Sequence, residues 1–223
     1  MEDNVEVAII AGTEIDTKMG VAYFENKGIK AIGGNISKEP ATTSSLQILS
    51  PEKLKNIMLK KIRKLIRNHL NIKVVCIYCN SLSTSVNLEE LKKEVRIPIV
   101  TPLETYRYIG KKHDIIGVLA ANCQATAGIE NVIHSVNESA QVIGIAALKL
   151  VLAIEDGMPP GKILKKFSLD SIFDFFGAVE TEKIILGCTH FPYFEDQLSS
   201  ISEIPIFNPS ERMYQLVSET LKI

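Results

Sequence analysis

The chain lacks long apolar runs and lacks blocks of charge of one sign. Its 223 residues include 25 basic and 26 acidic side chains, which give a formal net charge of -1. No apolar stretch reaches the roughly 18 residues that a membrane span requires. No basic segment is long enough to follow a phosphate backbone or a lipid surface. Neither nucleic acid nor a membrane is therefore an expected partner.

Cysteine is sparse as well, and its spacing is irregular. The four cysteines are Cys76, Cys79, Cys123 and Cys188, a pattern that does not indicate a disulfide framework. The opening residues, MEDNVEVAIIAG, are acidic and their apolar run is too short for a signal peptide. Both features predict a cytoplasmic protein in a reducing compartment, whose cysteines serve catalysis or burial.

Short runs rich in valine and isoleucine predict buried β-strands, and helical patterns separate them. The predicted strands cover 5–11, 73–79, 97–100, 114–120, 141–146, 183–188 and 204–207. The predicted helices cover 50–70, 88–95, 101–112, 126–137, 147–156, 192–200 and 209–221. Strands that alternate with helices indicate an α/β protein with mainly parallel sheets.

The clearest helix follows Ser50, which is the predicted N-cap, and has Pro51 at its first position. Its apolar residues recur at helical spacing and are expected to face the core. They are Leu54, Ile57, Met58, Ile62, Leu65 and Ile66.

Three predicted strands end in segments rich in reactive or polar residues. These are AGTEIDTKMG (11–20), YCNSLSTS (78–85) and GCTHFPY (187–193). Parallel sheets bind ligands beyond the carboxyl ends of their strands. Cys79 and Cys188 hold similar places in this pattern, since each ends a strand-like run and precedes a polar residue.

Two thiols that face one another across a cleft could act as a pair of bases. One thiolate would remove a proton and the other thiol would return one on the opposite side. A free cysteine titrates near ~8.5, so the attacking thiol needs a cation, an imidazolium or a helix N-terminus beside it. His190 and the helix predicted after Pro192 could serve Cys188 in this way.

Other interpretations of these residues stay open at this point. A cysteine at a strand end is often only a core residue. Cys188 and His190 could ligate zinc, although a structural site needs four ligands. Cys76 and Cys79 have the spacing of a redox pair, but alternation along a strand would send them to opposite faces.

The carboxylates near these motifs also have ordinary explanations. Asp16 could cap a helix from the loop between Gly12 and Gly20. Glu155 precedes Asp156 and Gly157, a pattern typical of a helix that ends at glycine.

Taken together, these motifs resemble those of the aspartate/glutamate racemase superfamily, whose members racemise amino acids without a cofactor. IDTKMG (15–20) is similar to the Asp-Ser-Gly loop of that superfamily. CNSLS (79–83) is similar to its Cys-Asn-Thr-Ala motif, and LGCTHFP (186–192) to its Gly-Cys-Thr-His-Tyr-Pro motif. Aspartate racemases usually have an acidic residue in place of His190, so the glutamate racemases are the nearer likeness.

The resemblance implies a fold and a substrate class. It implies two pseudo-symmetric α/β lobes, each a mainly parallel sheet flanked by helices, with the active site between them. The first lobe would comprise 1–100 plus 205–223, and the second 101–204. A small-molecule amino acid would be the substrate, with no cofactor and no metal. Family members commonly dimerise, so a homodimer is compatible with the resemblance, but the sequence does not give the oligomeric state.

The resemblance further implies roles for individual residues. Cys79 would be the base for one enantiomer, supported by Asp16, and Cys188 the base for the other. His190 would assist Cys188, and Glu155 would act beside His190. The groups expected to hold the α-carboxylate and amino group of the substrate are Thr17, Asn80, Ser81 and Thr189.

The chain departs from the family pattern where the substrate is held. SLQILS (45–50) stands where the family has a Pro-Tyr-Gly clamp. AANCQATAG (120–128) has Ala121 and Gln124 in place of threonines, with Thr126 displaced. An isomerase acting on glutamate is expected, which would place the D-amino acid product in peptidoglycan biosynthesis. The alternatives are a racemase for aspartate or another amino acid, and a regulator that binds an amino acid without turnover.

Overall fold

The computed structural model describes residues 6–223, which form eight β-strands and twelve α-helices. The strands are β1 (Val7–Ala11), β2 (Ala31–Asn35), β3 (Val74–Ile77), β4 (Ile99–Val100), β5 (Ile115–Ala120), β6 (Gln141–Ala146), β7 (Lys183–Gly187) and β8 (Ile206–Phe207). The helices are α1 (Glu14–Glu25), α2 (Pro40–Leu46), α3 (Pro51–Asn68), α4 (Asn80–Ser85), α5 (Leu88–Val95), α6 (Pro102–Gly110), α7 (Cys123–His134), α8 (Leu148–Glu155), α9 (Pro160–Lys166), α10 (Leu169–Ala178), α11 (Glu195–Ile201) and α12 (Pro209–Leu221).

The described chain divides into two compact units. The first unit consists of the chain up to Pro102 together with Ser210–Ile223, and the second unit consists of Leu103–Pro209. The predicted return to the first lobe at residue 205 came too early. Ile206 of β8 pairs with Ile184 of β7, so backbone hydrogen bonds keep this strand in the second unit.

Each unit contains one four-stranded parallel sheet. The strand order is β2-β1-β3-β4 in the first unit and β6-β5-β7-β8 in the second. The order is the same in both sheets when the strands are counted within each unit. The predicted fold class, two parallel sheets flanked by helices, is therefore confirmed.

Alternate residues of the central strands of the first unit pack on opposite faces of the sheet, as the period of two requires. Ile10 and Ile77 lie in a cluster with Met58 of α3. Ile9 and Cys76 lie in the cluster on the other face. Helices thus cover both faces of this parallel sheet, which explains why its strands are near-continuous apolar runs.

The same alternation excludes the alternative interpretation of Cys76 and Cys79 as a redox pair. Cys79 belongs to the cluster that contains Ile77, whereas Cys76 is fully buried in the opposite cluster. None of the four cysteines, all of which lie within residues 6–223, forms a disulfide bond. Cys76 is consequently a core residue, and the Cys76–Cys79 spacing is not a redox motif.

The strand β2 was not predicted from the sequence. Its residues, AIGGN, contain two glycines, which weaken a strand pattern. A Cβ at Gly33 would collide with the methyl group of Thr17 on α1. Glycine is present in β2 because α1 lies very close to the strand at this point.

Helix α3 begins as predicted, with one correction to its buried face. Ser50 is the N-cap and accepts a hydrogen bond from the backbone of Lys53. Leu54, Met58 and Ile62 are fully buried, but Ile57 is 38% exposed. Ile57 therefore lies outside the apolar stripe to which the sequence assigned it. Among residues 6–223, no helix has the length and apolar content needed to cross a membrane.

Candidate active site

Cys79 lies just beyond the carboxyl end of β3. It is the N-cap residue of α4 and has an extended backbone. Its carbonyl oxygen accepts hydrogen bonds from the amide and the hydroxyl of Ser83, the latter at 2.7 Å. Cys79 is 5% exposed, and Asn80 and Ser81 beside it are also buried. The short helix thus fixes the thiol at the edge of the sheet.

Asp16 approaches the same place from the first turn of α1, the helix that follows the neighbouring strand β1. Its carboxylate accepts a hydrogen bond from the backbone of Gly12, with Oδ2 3.3 Å from the amide nitrogen. A Cβ on Gly12 would lie only 3.5 Å from Cys79 Sγ. Gly12, in the turn after β1, is therefore close to both the Asp16 carboxylate and the Cys79 thiol.

The segment that contains Asp16 and Thr17 is helical, not the loop expected from the sequence. Thr13 is the N-cap of α1, and its hydroxyl accepts from the amide of Asp16 at 3.2 Å. Thr17 donates its hydroxyl to the carbonyl of Thr13 at 2.6 Å. Its methyl group faces Gly33 of β2. Thr17 is thus placed against β2, while Asp16 lies in the first turn with its carboxylate on Gly12.

Two hydroxyl groups near Cys79 were missed in the sequence. Ser37 donates to the carbonyl of Gly12 at 3.0 Å, and its oxygen lies 2.6 Å from that of Thr43. Thr43 would touch a Cβ placed on Gly12, the same position that lies near Cys79 Sγ. Residues 45–50, which were expected to replace the family clamp, instead form the end of α2 and the turn into α3. A serine and a threonine on either side of Pro40, shortly after a strand, were the available signal.

Cys188 lies at the equivalent end of β7. A tight 3-10 turn over Phe191–Phe194 follows it, and the amide of Phe191 donates to the Cys188 carbonyl at 3.0 Å. The rings of Phe191 and Phe194 are buried and stack with centroids 5.2 Å apart. This aromatic anchor holds the turn that carries His190. Thr189 is also buried here, at 2% exposure.

Cys188, His190 and Glu155 form a chain of polar contacts. Cys188 Sγ lies 3.7 Å from His190 Nδ1, and His190 Nε2 lies 2.9 Å from Glu155 Oε1. An ionised carboxylate can only accept, so Nε2 carries a hydrogen. Nδ1 then faces the thiol and can take its proton, which leaves a thiolate beside an imidazolium whose charge Glu155 offsets.

Glu155 takes part in these polar contacts from the last turn of a helix. It is the final residue of α8, and Gly157 follows with a φ of 70°. The amides of Gly157 and Met158 return to the carbonyls of Ile154 and Ala153, which is a glycine-dependent helix end. The ordinary explanation of this segment is therefore correct, and the same helix end also places Glu155 against His190.

Strand register shows that the two cysteines are equivalent. Ile77 pairs with Ile10 of β1, and Leu186 pairs with Leu119 of β5. Ile10 and Leu119 each stand one residue before the end of their strand. Each cysteine follows two residues after its paired position, so Cys79 and Cys188 hold the same place in their own sheets.

The helix after the first strand of the second unit repeats the arrangement of α1. Asn122 caps α7, and Thr126 donates to its carbonyl at 3.1 Å. A Cβ on Gly144 of β6 would collide with the Thr126 methyl group. Thr126 therefore corresponds to Thr17. Ala125 occupies the position of Asp16, so the second unit has no carboxylate there.

No group of three or more histidine, cysteine, aspartate or glutamate side chains within residues 6–223 is arranged to hold a metal ion.

Comparison with known proteins gives consistent results. The glutamate racemase of Clostridium acetobutylicum is 24% identical over 169 residues, which are 74% of this chain and 64% of that relative. The chain thus spans less than two thirds of the length of this curated relative. No family model matches the chain.

Solved structures resemble the whole fold. The glutamate racemase of Francisella tularensis, solved in complex with D-glutamate, has a TM-score of 0.75 at 19% identity and covers 99% of this chain and 82% of its own. An aspartate racemase homologue from Pyrococcus horikoshii has a TM-score of 0.69 at 16% identity and covers both chains fully. The chain is similar in sequence to curated glutamate racemases and similar in fold to solved structures of a glutamate racemase and an aspartate racemase homologue. The resemblance inferred from the three motifs is confirmed, and the matching curated relatives are glutamate racemases.

Proposed function

We propose that this chain is an amino-acid racemase that interconverts the enantiomers of glutamate by proton transfer at the α-carbon. Cys79 and Cys188 are the two acid–base groups, and no cofactor takes part. The proposal rests mainly on the series of polar contacts from Cys188 through His190 to Glu155, because these contacts place a proton acceptor beside the thiol. The equivalent register of the two cysteines supports the pairing.

The reaction exchanges one proton for another. The Cys188 thiolate removes the α-proton, so the C–H bond breaks, an S–H bond forms and the electron pair stays on the substrate. The thiol of Cys79 then gives its proton to the opposite face, which forms a new C–H bond and leaves a thiolate. The other enantiomer reacts through the same steps in reverse, with the roles of the thiols exchanged.

The residues around the thiols have different roles in this mechanism. His190 holds the proton that leaves Cys188, and Glu155 keeps the imidazole oriented. Asp16 supports Cys79 through the turn at Gly12. Asn80, Ser81, Thr189 and Thr17 bind the carboxylate and amino group, as the family resemblance implies. An α-proton is weakly acidic, so hydrogen bonds to the developing enolate must lower the barrier.

Glutamate is proposed as the substrate because the matching curated relatives are named glutamate racemases. Aspartate is the first alternative, since one structural neighbour is an aspartate racemase homologue.

Deuterium exchange tests the proposal. The purified protein is incubated in deuterated buffer with each enantiomer of glutamate and aspartate. The α-proton is followed by NMR and the chirality by circular dichroism. We expect exchange with inversion for glutamate, and loss of inversion in Cys79→Ala and in Cys188→Ala.

Cys123→Ala is the matched control, because Cys123 is an exposed thiol at the start of α7. This variant should keep wild-type activity. Calorimetric binding of glutamate without any exchange would contradict the proposal and favour a regulator. Exchange with aspartate alone would keep the chemistry and change the substrate.

A further inference from the structure

The space above Gly12 is bounded by two side chains of different chemistry. A Cβ placed on Gly12 would lie 3.1 Å from both Oγ1 and Cγ2 of Thr43, and 3.5 Å from Cys79 Sγ. The Thr43 side chain and the Cys79 thiol therefore lie next to the same point, and the distance between them cannot exceed the sum of these two distances. Thr43 is 7% exposed, so its hydroxyl lies beside the proposed base and is largely withdrawn from water.

The hydrogen bonds of Thr43 determine what its oxygen can offer. Thr43 and Ser37 have two hydroxyl hydrogens, and their oxygens lie 2.6 Å apart. If Thr43 donates to Ser37, then Ser37 donates to the carbonyl of Gly12 at 3.0 Å. If Ser37 donates to Thr43, then Thr43 donates to the carbonyl of Glu39 at 3.3 Å. In both arrangements the hydrogens are used and Thr43 keeps a lone pair.

The charges around Gly12 favour a cationic ligand group at this lone pair. The carboxylate of Asp16 accepts a hydrogen bond from the amide of Gly12. Cys79 is a thiolate in the direction of the proposed reaction in which it removes the α-proton. A carboxylate group of the substrate would be repelled by both. The α-ammonium group is a hydrogen-bond donor, carries positive charge and is bonded to the carbon that the thiol must reach.

We propose that Thr43 is a substrate-binding residue that accepts a hydrogen bond from the α-ammonium group, and that Ser37 positions it. This inference rests on the proposed racemase function, in which the substrate is an amino acid. It also gives a reason for glycine at position 12, because a side chain there would enter the space that Thr43 and Cys79 share.

The main test compares Thr43→Val with Thr43→Ser. Valine keeps the shape and removes the hydroxyl, whereas serine keeps the hydroxyl. A hydrogen bond to a charged group predicts a rise of about ten- to hundredfold in KM for Thr43→Val. The value of kcat should change little, because the contact exists in the ground state and the transition state alike. Thr43→Ser should stay within about threefold of wild type, and Ser37→Ala should show a smaller rise than Thr43→Val.

A second readout does not need turnover. Iodoacetamide labels Cys79, and the labelling rate is measured by mass spectrometry with increasing glutamate or glutarate, which lacks the amino group. Thr43→Val should require about ten- to hundredfold more glutamate for protection, with the requirement for glutarate unchanged. An equal loss for both ligands would show that the hydroxyl binds a carboxylate, and would overturn the inference.

The outcomes separate this inference from the proposed function. Racemisation that Thr43→Val leaves unchanged overturns the inference and keeps the function. Weaker protection of Cys79 by glutamate in Thr43→Val, in a protein without exchange activity, supports the contact and overturns the function. Neither exchange nor protection with wild-type protein overturns both. Thermal melting of each variant checks that the fold is intact, and Ser37→Ala provides an independent perturbation.

Discussion

The first and second units have the same sheet order, yet they surround their cysteines in different ways. In the second unit, Cys188 contacts an imidazole that is itself held by Glu155. In the first unit, Ser81 occupies the place of His190. Cys79 instead lies near Gly12, which Thr43 also approaches and whose amide donates to the Asp16 carboxylate.

Strand register and the chemistry around each thiol are therefore determined separately. The parallel sheet and the short helical turn after it place a thiol at the same point in both units, because the backbone hydrogen bonds of the sheet set the same strand register in each. The side chains beside each thiol then differ between the two units. Four variants or pairs of variants test this comparison.

Removing either thiol should have the largest effect. In Cys79→Ala and in Cys188→Ala, racemisation of glutamate should fall by about 10²–10⁴-fold, because one acid–base group is lost. The remaining thiol can still remove and return a proton on its own face. Each variant should therefore retain slow exchange without inversion for one enantiomer, and the enantiomer should differ between them.

NMR in deuterated buffer with separate L- and D-glutamate measures this outcome. If both variants retained exchange of the same enantiomer, the two thiols would not serve opposite faces, and the comparison of the units would fail.

Changing the neighbours of the cysteines should have the next largest effect. His190→Ala should slow alkylation of Cys188 by about ten- to hundredfold, because the thiol loses the group that takes its proton. Cys79 should be unaffected. Ser81→Ala is the matched control in the first unit and should alter neither thiol, since serine is no base.

Iodoacetamide labelling with peptide mass spectrometry reports both thiols in one experiment. Steady-state kcat/KM cannot show this asymmetry, because the enantiomers have equal free energies and both directions must slow by the same factor. Equal slowing of Cys79 and Cys188 labelling in His190→Ala would indicate a general loss of structure.

The repeated threonine–glycine contacts give the third test. Gly33→Ala and Gly144→Ala should each destabilise the protein by about 1–3 kcal/mol, because the new Cβ collides with a threonine methyl group. Adding Thr17→Ser or Thr126→Ser, respectively, should recover most of that loss. Chemical denaturation measures the free energy of unfolding.

Gly161→Ala is the control, since a Cβ there would meet no atom within 4 Å. A loss in only one of the two strands would show that the two contacts are not equivalent.

The smallest effect concerns α12, the helix with which the chain returns to the first unit. Hydrogen bonds from Lys27 and Tyr23 lower the pKa of Glu211 below its ordinary value of 4.5. A lowered pKa adds stability above that ordinary value, and this stability is lost as the pH falls through the folded value.

Glu211→Gln should therefore cost about 0.5 kcal/mol at neutral pH, as expected of an exposed ion pair, and less in acid. Urea denaturation at neutral and acidic pH measures the difference. A cost that grows as the pH falls would contradict the sign of this pKa shift.

Much of the fold could be predicted because its signals are local. The seven predicted strands all occur, and Ser50 and Pro51 begin α3 as expected. Apolar runs and capping residues act within a few positions of themselves. The missed strand β2 shows the limit, because the fit between Gly33 and Thr17 depends on a neighbouring helix.

The candidate site divides in the same way. The motifs identified Cys79 and Cys188 because a reactive residue at a strand end is visible in sequence. Thr43 and Ser37 were not identified, because their approach to Gly12 depends on how the chain returns after β2. The boundary at residue 205 was misplaced for a similar reason, since only pairing with β7 assigns β8 to a sheet.

Periodicity and capping signals in the sequence predicted seven of the eight described strands and the start of α3, and they placed a cysteine at the end of two of those strands. Periodicity and caps are written in consecutive residues, so local physical chemistry suffices for them. The side chains that surround each thiol depend on how the strands and helices pack. His190 contacts Glu155, which is 35 residues away in sequence. Such a contact forms only when the strands and helices have packed together.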